Sequence, residues 1–179
     1  MNRYAVFIDG GYAKKVFQSE PHISYFKFSN YIAKGEERLR TYYYDCPPYM
    51  SNPSTTDEKL RKSKFDRFVF ALQKEDRFQV RYGRLAKRYL PDGTENFEQK
   101  MVDILLAVDL VQLSVQHQIQ RAVLLANDSD FVPAIEIARN AGTVVELYYR
   151  IPPRPHDELL QACDGRIQID QTIINSIRF

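Results

Sequence analysis

The sequence predicts an α/β fold built on a mainly parallel sheet, and three observations carry that prediction. Short apolar runs stop at aspartates, as Tyr4 to Asp9 does before Gly10-Gly11 and as Arg121 to Ala126 does just before Asp128. From Arg121 to Tyr149 the pattern reads strand, helix, strand, and such a crossover sets two strands parallel with the helix packed across them. A chain of 179 residues closes one substantial core and is short for two, so residues 1–179 are expected to form a single domain.

Taken in order, Tyr4 to Asp9 is a buried strand that ends where Gly10 and Gly11 let the backbone turn sharply. Gly11 to Gln18 is a short helix. Arg38 to Asp45, with Tyr42, Tyr43 and Tyr44, has the aromatic content of a second strand. Cys46 to Thr56 holds three prolines and reads as a surface loop, followed by a helix over Asp57 to Glu75 whose apolar stripe is Phe65, Phe68, Val69 and Leu72. Phe78 to Leu90 is extended, and Pro91-Asp92-Gly93-Thr94 is a turn that pairs it with the next segment. Val102 to His117 is helical and apolar on most sides, which predicts a largely buried helix. Arg121 to Ala126 is a strand, Asp130 to Ala141 a helix stopped by Gly142, and Thr143 to Tyr149 a further strand.

Composition narrows the classes of function. No basic segment, long apolar run and small-residue cleavage site occur together near Arg3, so export is not expected. The longest apolar stretches, Ile104 to Val108 and Ala122 to Ala126, are five residues each, far below the roughly 20 needed to span a bilayer. Cys46 and Cys163 lie far apart without CxxC or Cys/His spacing, which argues against a disulfide framework or zinc site and suits a reducing cytoplasm. The abundance of aromatics, 12 Tyr and 11 Phe, serves either a core or a contact between copies in a homo-oligomer.

The net charge of +2 conceals an asymmetry. Lys59 to Arg88 contains eleven Lys or Arg against three Asp or Glu, an excess of +8 that leaves −6 for the remainder. Arg77, Arg81, Arg84, Lys87 and Arg88 alternate with Phe78, Tyr82 and Tyr89, a pattern suited to phosphate contacts beside base-stacking rings. A solvated helix followed by a charge-protected edge strand explains the same residues.

The acids at strand ends carry the chemistry. If the first strand and the strand from Arg121 are neighbours, Asp9, Asp128 and Asp130 converge. Asp103, in the first turn of the apolar helix, completes the group, and the helix dipole favours a carboxylate there. Carboxylates brought together raise one another's proton affinity unless a cation neutralises them. Hard oxygen donors select Mg²⁺ or Mn²⁺, which activate water and offset the charge that builds during phosphodiester hydrolysis. Each acid also has a local explanation: Asp9 as a turn residue, Asp128 and Asp130 as helix caps, and Asp103 as a first-turn acid.

FIDGGY at 7–12, KMVDILLAVD at 100–109 and LLANDSDFVPAIEIARNAG at 124–142 resemble the NYN domain, a LabA-like branch of the PIN-like nucleases, in the family's order and across nearly the whole chain. The resemblance implies a Rossmann-like three-layer α/β/α sandwich, PIN-like, with a central mainly parallel sheet. It also implies a metal-dependent ribonuclease site with Asp9, Asp103, Asp128 and Asp130 as catalytic metal ligands. Relatives commonly carry Asn where this chain has Tyr12, and Ser-Gly where it has Ala126-Asn127, so substrate positioning in those loops falls to Tyr12 and Asn127. Lys100 stands three residues before Asp103 and suits a bound phosphate, although solvated lysines before helices are common. Ser129 suits a water or carboxylate and equally a helix cap. Arg81, Arg84, Lys87 and Arg88 are the cations expected to guide RNA. Asp109 belongs to the motif but lies roughly 120° around the helix and roughly 9 Å along it from Asp103, a supporting acid rather than a ligand. His22, His117 and His156 show no ligand spacing, and surface positions are expected.

Two functions follow from this reading: a metal-dependent endoribonuclease acting on single-stranded or structured RNA, and a non-catalytic RNA- or protein-binding module that retains the acidic pocket. An aspartyl phosphatase would want an acid where Gly11 stands. No GxGxxG follows the first strand, which argues against a dinucleotide enzyme.

Overall fold

The computed structural model describes residues 2–20 and 22–179, with the side chains of residue 86 and residues 97–100 outside the description. Its centre is a six-stranded sheet made of β1 (Arg3–Asp9), β2 (Glu37–Asp45), β3 (Phe78–Tyr82), β6 (Arg121–Leu125), β7 (Val144–Tyr149) and β8 (Gly165–Gln168). Their order across the sheet is β3-β2-β1-β6-β7-β8, and every neighbouring pair is parallel. The remaining strands, β4 (Arg84–Tyr89) and β5 (Glu95–Lys100), form a separate antiparallel hairpin.

Both faces of the sheet are covered, and alternation along the strands divides the core in two. Tyr4, Val6 and Ile8 face one way, toward α1 (Gly10–Val16), α2 (Tyr25–Tyr31), α3 (Thr56–Lys74) and α7 (Gln171–Ile177). Ala5 and Phe7 face the other way, toward α4 (Val102–Val115), α5 (Val132–Asn140) and α6 (Asp157–Ala162). Side chains that alternate between two buried faces explain why β1 and β6 read as unbroken apolar runs. The result is a three-layer α/β/α sandwich with β1 at the point where strand order reverses, since β2 and β3 extend to one side and β6 to β8 to the other.

Several elements form where the residues predict them. Thr55 and Glu58 close a capping box at the start of α3, which satisfies two helix-end donors at once. Val69 and Leu72 of its apolar stripe are buried, while Phe65 and Phe68 pack partly buried on the same core. Gly142 ends α5 with φ +92, a left-handed conformation that suits glycine. The extended segment from Phe78 divides at Gly83, whose N–H donates to the Asp45 carbonyl at 3.0 Å. Beyond that point the chain leaves the sheet for the hairpin.

The apolar helix α4 departs from expectation. Leu106, Leu110 and Leu113 are buried against the sheet, but Ile104, Val108 and Val115 are 63%, 53% and 51% exposed. The helix lies on the outside of its layer and has no neighbour over its outer face among the described residues, so apolar composition on all sides does not produce burial on all sides.

Gly10 lets α1 approach β2 closely. A Cβ on that residue would lie 2.6 Å from the Tyr44 carbonyl oxygen and 2.9 Å from the Tyr43 ring. Gly10→Ala is therefore expected to cost about 1–3 kcal/mol through overpacking, a fall in Tm of about 3–9 °C. A variant that melts with the parent would show that β2 yields there without cost.

Candidate functional site

Alternation and register bring the acids to one edge. Asp9 follows Phe7 in phase, so it belongs to the face that carries α4, and it is the last residue of β1. Ile8 pairs with Leu125 of the adjacent β6, which puts Asp9 level with the end of β6 and Asp128 just beyond it. Asp130 follows within a short 3-10 helix, Ser129–Phe131, and Asp103 stands in the first turn of α4. All lie at the carboxyl ends of the strands where the strand order reverses, the crevice in which open α/β sheets bind ligands.

The capping roles are present as well. Asp9 caps α1, with Oδ1 accepting the N–H of Gly11 at 2.9 Å and of Tyr12 at 3.2 Å. Asp128 caps the 3-10 helix through Oδ1, which accepts the Asp130 N–H at 2.9 Å. In both carboxylates Oδ1 fixes the group, and Oδ2 accepts no hydrogen bond among the described residues. Capping and ligand binding are therefore compatible in the same side chain.

Electrostatics mark this edge. Burial pushes the Asp9 carboxyl up from 3.8 to about 6, against the lowering effect of its backbone hydrogen bonds, and the charges of Asp103 and Asp45 raise it further. Asp103 is raised by desolvation and then by the charges of Asp128 and Asp130. None of Asp9, Asp103, Asp128 and Asp130 has a Lys or Arg ion-pair partner among the described residues. At the opposite edge the charges are compensated: Arg121 Nε is 2.6 Å from Glu36, its Nη1 is 2.9 Å from Glu146, and Lys34 is 2.6 Å from Glu146.

These carboxylates fit a divalent cation in donor type and in their uncompensated charge. Asn127 adds a buried Oδ1 with no hydrogen-bond partner beside Asp128, a further hard oxygen. Among the described residues, however, no group of three or more His, Cys, Asp or Glu is drawn together tightly enough to hold a metal ion.

Other residues singled out in the sequence occupy varied positions. Tyr12, expected to position substrate, is 6% exposed. Its hydroxyl accepts the Arg150 N–H at 3.1 Å, which ties α1 to the end of β7. Arg81, expected to guide RNA, gives its guanidinium to Asp109 in a two-pronged pair, Nε to Oδ2 at 3.0 Å and Nη2 to Oδ1 at 2.7 Å. Asp109 also accepts the hydroxyl of the buried Tyr44 at 2.9 Å, so it supports the join between α4 and the sheet, away from Asp103. Lys87 pairs with Glu95 and lies 5.5 Å from the Tyr49 ring centre. Arg84 and Arg88 are exposed on the hairpin, and Ser129 is partly buried at the start of the 3-10 helix. The side chain of Lys100 lies outside the described residues. His22, His117 and His156 are all exposed.

Sequence reasoning missed Asp45, a buried acid at the end of β2. It lies in phase with Tyr43 and so faces α1 and α3 rather than α4. There Lys14 of α1 forms an ion pair with it. Its position at a strand end, like that of Asp9, was the signal available.

A parallel six-stranded sheet with helices on both faces is consistent with a three-layer α/β/α PIN-like fold. The NYN domain model matches residues 3–170, and the chain belongs to the NYN domain family, whose members are nuclease-like, RNA-related domains. A crystal structure of a protein of unknown function from Vibrio parahaemolyticus is similar in fold, with a TM-score of 0.64 at 17% identity over 99% of this chain and 96% of that one. No curated protein matches the chain in sequence. Among the described residues no helix is long and apolar enough to cross a membrane.

Proposed function

We propose that the protein is a metal-dependent ribonuclease that hydrolyses RNA phosphodiester bonds, with Asp9, Asp103, Asp128 and Asp130 as the ligands of Mg²⁺ or Mn²⁺. What supports this reading is that carboxylates from β1, α4 and the loop after β6 lie at the same end of the sheet and raise one another's proton affinity, with no basic ion-pair partner among the described residues. A divalent ion bound there would supply an activated water and offset charge on the phosphodiester. Asp9 and Asp128, each fixed through Oδ1, keep Oδ2 directed by the backbone rather than by a flexible chain. Ser129 and Asn127 border the acids and position substrate. Arg84 and Arg88, on the exposed hairpin that leads into α4, guide the RNA strand. Lys100 at the end of that hairpin contributes a further phosphate contact. Cys46 and Cys163 are buried and form no disulfide among the described residues, which suits work in the reducing cytoplasm.

A non-catalytic RNA-binding module is the second reading. It is favoured by Tyr12, which is buried within α1 with its hydroxyl held by the Arg150 N–H rather than open to a substrate. One experiment separates the two: purified parent, Asp103→Asn and Asp128→Asn are incubated with single-stranded and structured RNA, each with Mg²⁺, Mn²⁺ or chelator. Cleavage by the parent that needs metal and falls at least about 100-fold in both variants is expected. RNA binding by the parent without cleavage under either metal would establish the module, and cleavage indifferent to both substitutions would sink the nuclease reading.

A further inference from the structure

On the α1/α3 side of the strand edge, next to the acids but on the opposite face of the sheet, lies a cavity of about 390 Å³. Lys14, Asp45, Arg61, Lys64, Phe65 and Phe68 line it. Its charges are unbalanced: three cations meet one carboxylate. Asp45 is fully buried and pairs with Lys14, which holds that ammonium at the mouth of the cavity. Arg61 and Lys64 are exposed and have no carboxylate partner among the described residues. They stand three residues apart on α3, a spacing that places both on one helix face. Lys14 also lies 5.6 Å from the centre of the Phe65 ring, and Phe65 and Phe68 are only partly buried.

We infer that this cavity is a phosphate subsite for the RNA strand, holding the nucleotide next to the one presented to the acids. The inference rests on the ribonuclease reading for its substrate. Two positive charges in excess recognise a phosphate, and the accessible edges of the partly buried Phe65 and Phe68 offer a flanking base a stacking surface. The volume lies within the range of small-ligand sites. Lys14 is five residues beyond Asp9, roughly 7 Å along α1, which is the scale of one step between neighbouring phosphates. Asp9 and Asp45 terminate adjacent strands, with Asp9 paired to Tyr44, so a strand passing over this edge meets the acids and the cations in turn. Asp45 acts as a positioning residue, orienting Lys14 without touching RNA.

The test compares the Arg61→Ala/Lys64→Ala variant with Lys59→Ala/Arg67→Ala, which removes the same charge from α3 where Lys59 and Arg67 line a different hollow. Binding of a short fluorescent single-stranded RNA of mixed sequence is measured in chelator across a salt series, with inorganic phosphate as a separate competitor. The first variant is expected to bind about 5–10-fold more weakly, with a salt slope shallower by about 0.7 for one lost phosphate contact, and the control to change by less than about 2-fold. Under cleaving conditions kcat at saturating RNA stays that of the parent while KM rises. Equal weakening in both variants, or parental affinity and slope in the first, overturns the subsite, as does a parent that binds no RNA. A parent that binds RNA through these residues yet cuts nothing would fail the nuclease reading alone, whereas a cutting parent whose binding ignores Arg61 and Lys64 would fail the subsite alone.

Discussion

Asp109→Ala is expected to lower stability by about 3 kcal/mol, read as a fall in Tm of about 6–12 °C. The acid is 6% exposed and serves three donors: the Tyr44 hydroxyl and two nitrogens of Arg81. Truncation leaves the Tyr44 hydroxyl in the core without an acceptor, which alone costs on the order of 1–3 kcal/mol. It also breaks a buried charge pair, for which losses of about 3–5 kcal/mol are usual. The lower end applies because the Arg81 side chain is 37% exposed, so its guanidinium can turn to water. The Arg81→Ala/Asp109→Ala double variant should be less destabilised than the sum of the two singles. Additive losses, or a single variant within about 1 kcal/mol of the parent, would show that this pair does not hold α4 to the sheet.

The same cluster shows what a sequence conveys and what it withholds. Arg81 lies in a basic, aromatic segment and reads as a nucleic-acid contact until its partner, 28 positions away in α4, is in view. Charge is visible locally, whereas pairing across the fold is not. β1, β6 and β7 were legible because strands buried on both faces are apolar along most of their length, β2 through its run of three tyrosines, and the Pro91-Asp92-Gly93-Thr94 turn announced the hairpin. The helix α2, with the sequence YFKFSNY, carries residues that favour strands, and Ser24, whose hydroxyl accepts the Lys27 N–H, was its one start signal. β8 is four residues with alternating partial exposure, too short and too polar to stand out. The expectation that the acids share one end of the sheet rested on strand ends and on the adjacency of two strands, and β1 does pair with β6. Asp45 escaped notice because it borders a proline-rich loop and because only the phase of β2 reveals which face it serves.

Asp9→Asn is expected to act in opposite directions on cleavage and on stability. As a ligand it should cost at least about 100-fold in metal-dependent cleavage. In chelator at pH 8 it should instead stabilise the fold, by on the order of 2 kcal/mol. The sign follows from linkage: with its carboxyl raised from 3.8 to about 6, the folded state holds this proton more tightly than the unfolded chain. That contribution is complete below about pH 3.8 and is lost as pH rises through about 6, after which the parent carries a poorly solvated carboxylate facing Asp103 and Asp45, the latter partly offset by Lys14. The amide removes this charge while its oxygen still accepts the Gly11 and Tyr12 N–H groups. Near pH 4 the two proteins should therefore melt together. Adding Mg²⁺ or Mn²⁺ at pH 8 should raise the Tm of the parent and leave the variant nearly unchanged, because a ligand stabilises only the state that binds it. Equal gains from metal in both proteins, or a variant less stable than the parent in chelator at pH 8, would mean that Asp9 caps α1 and does nothing more.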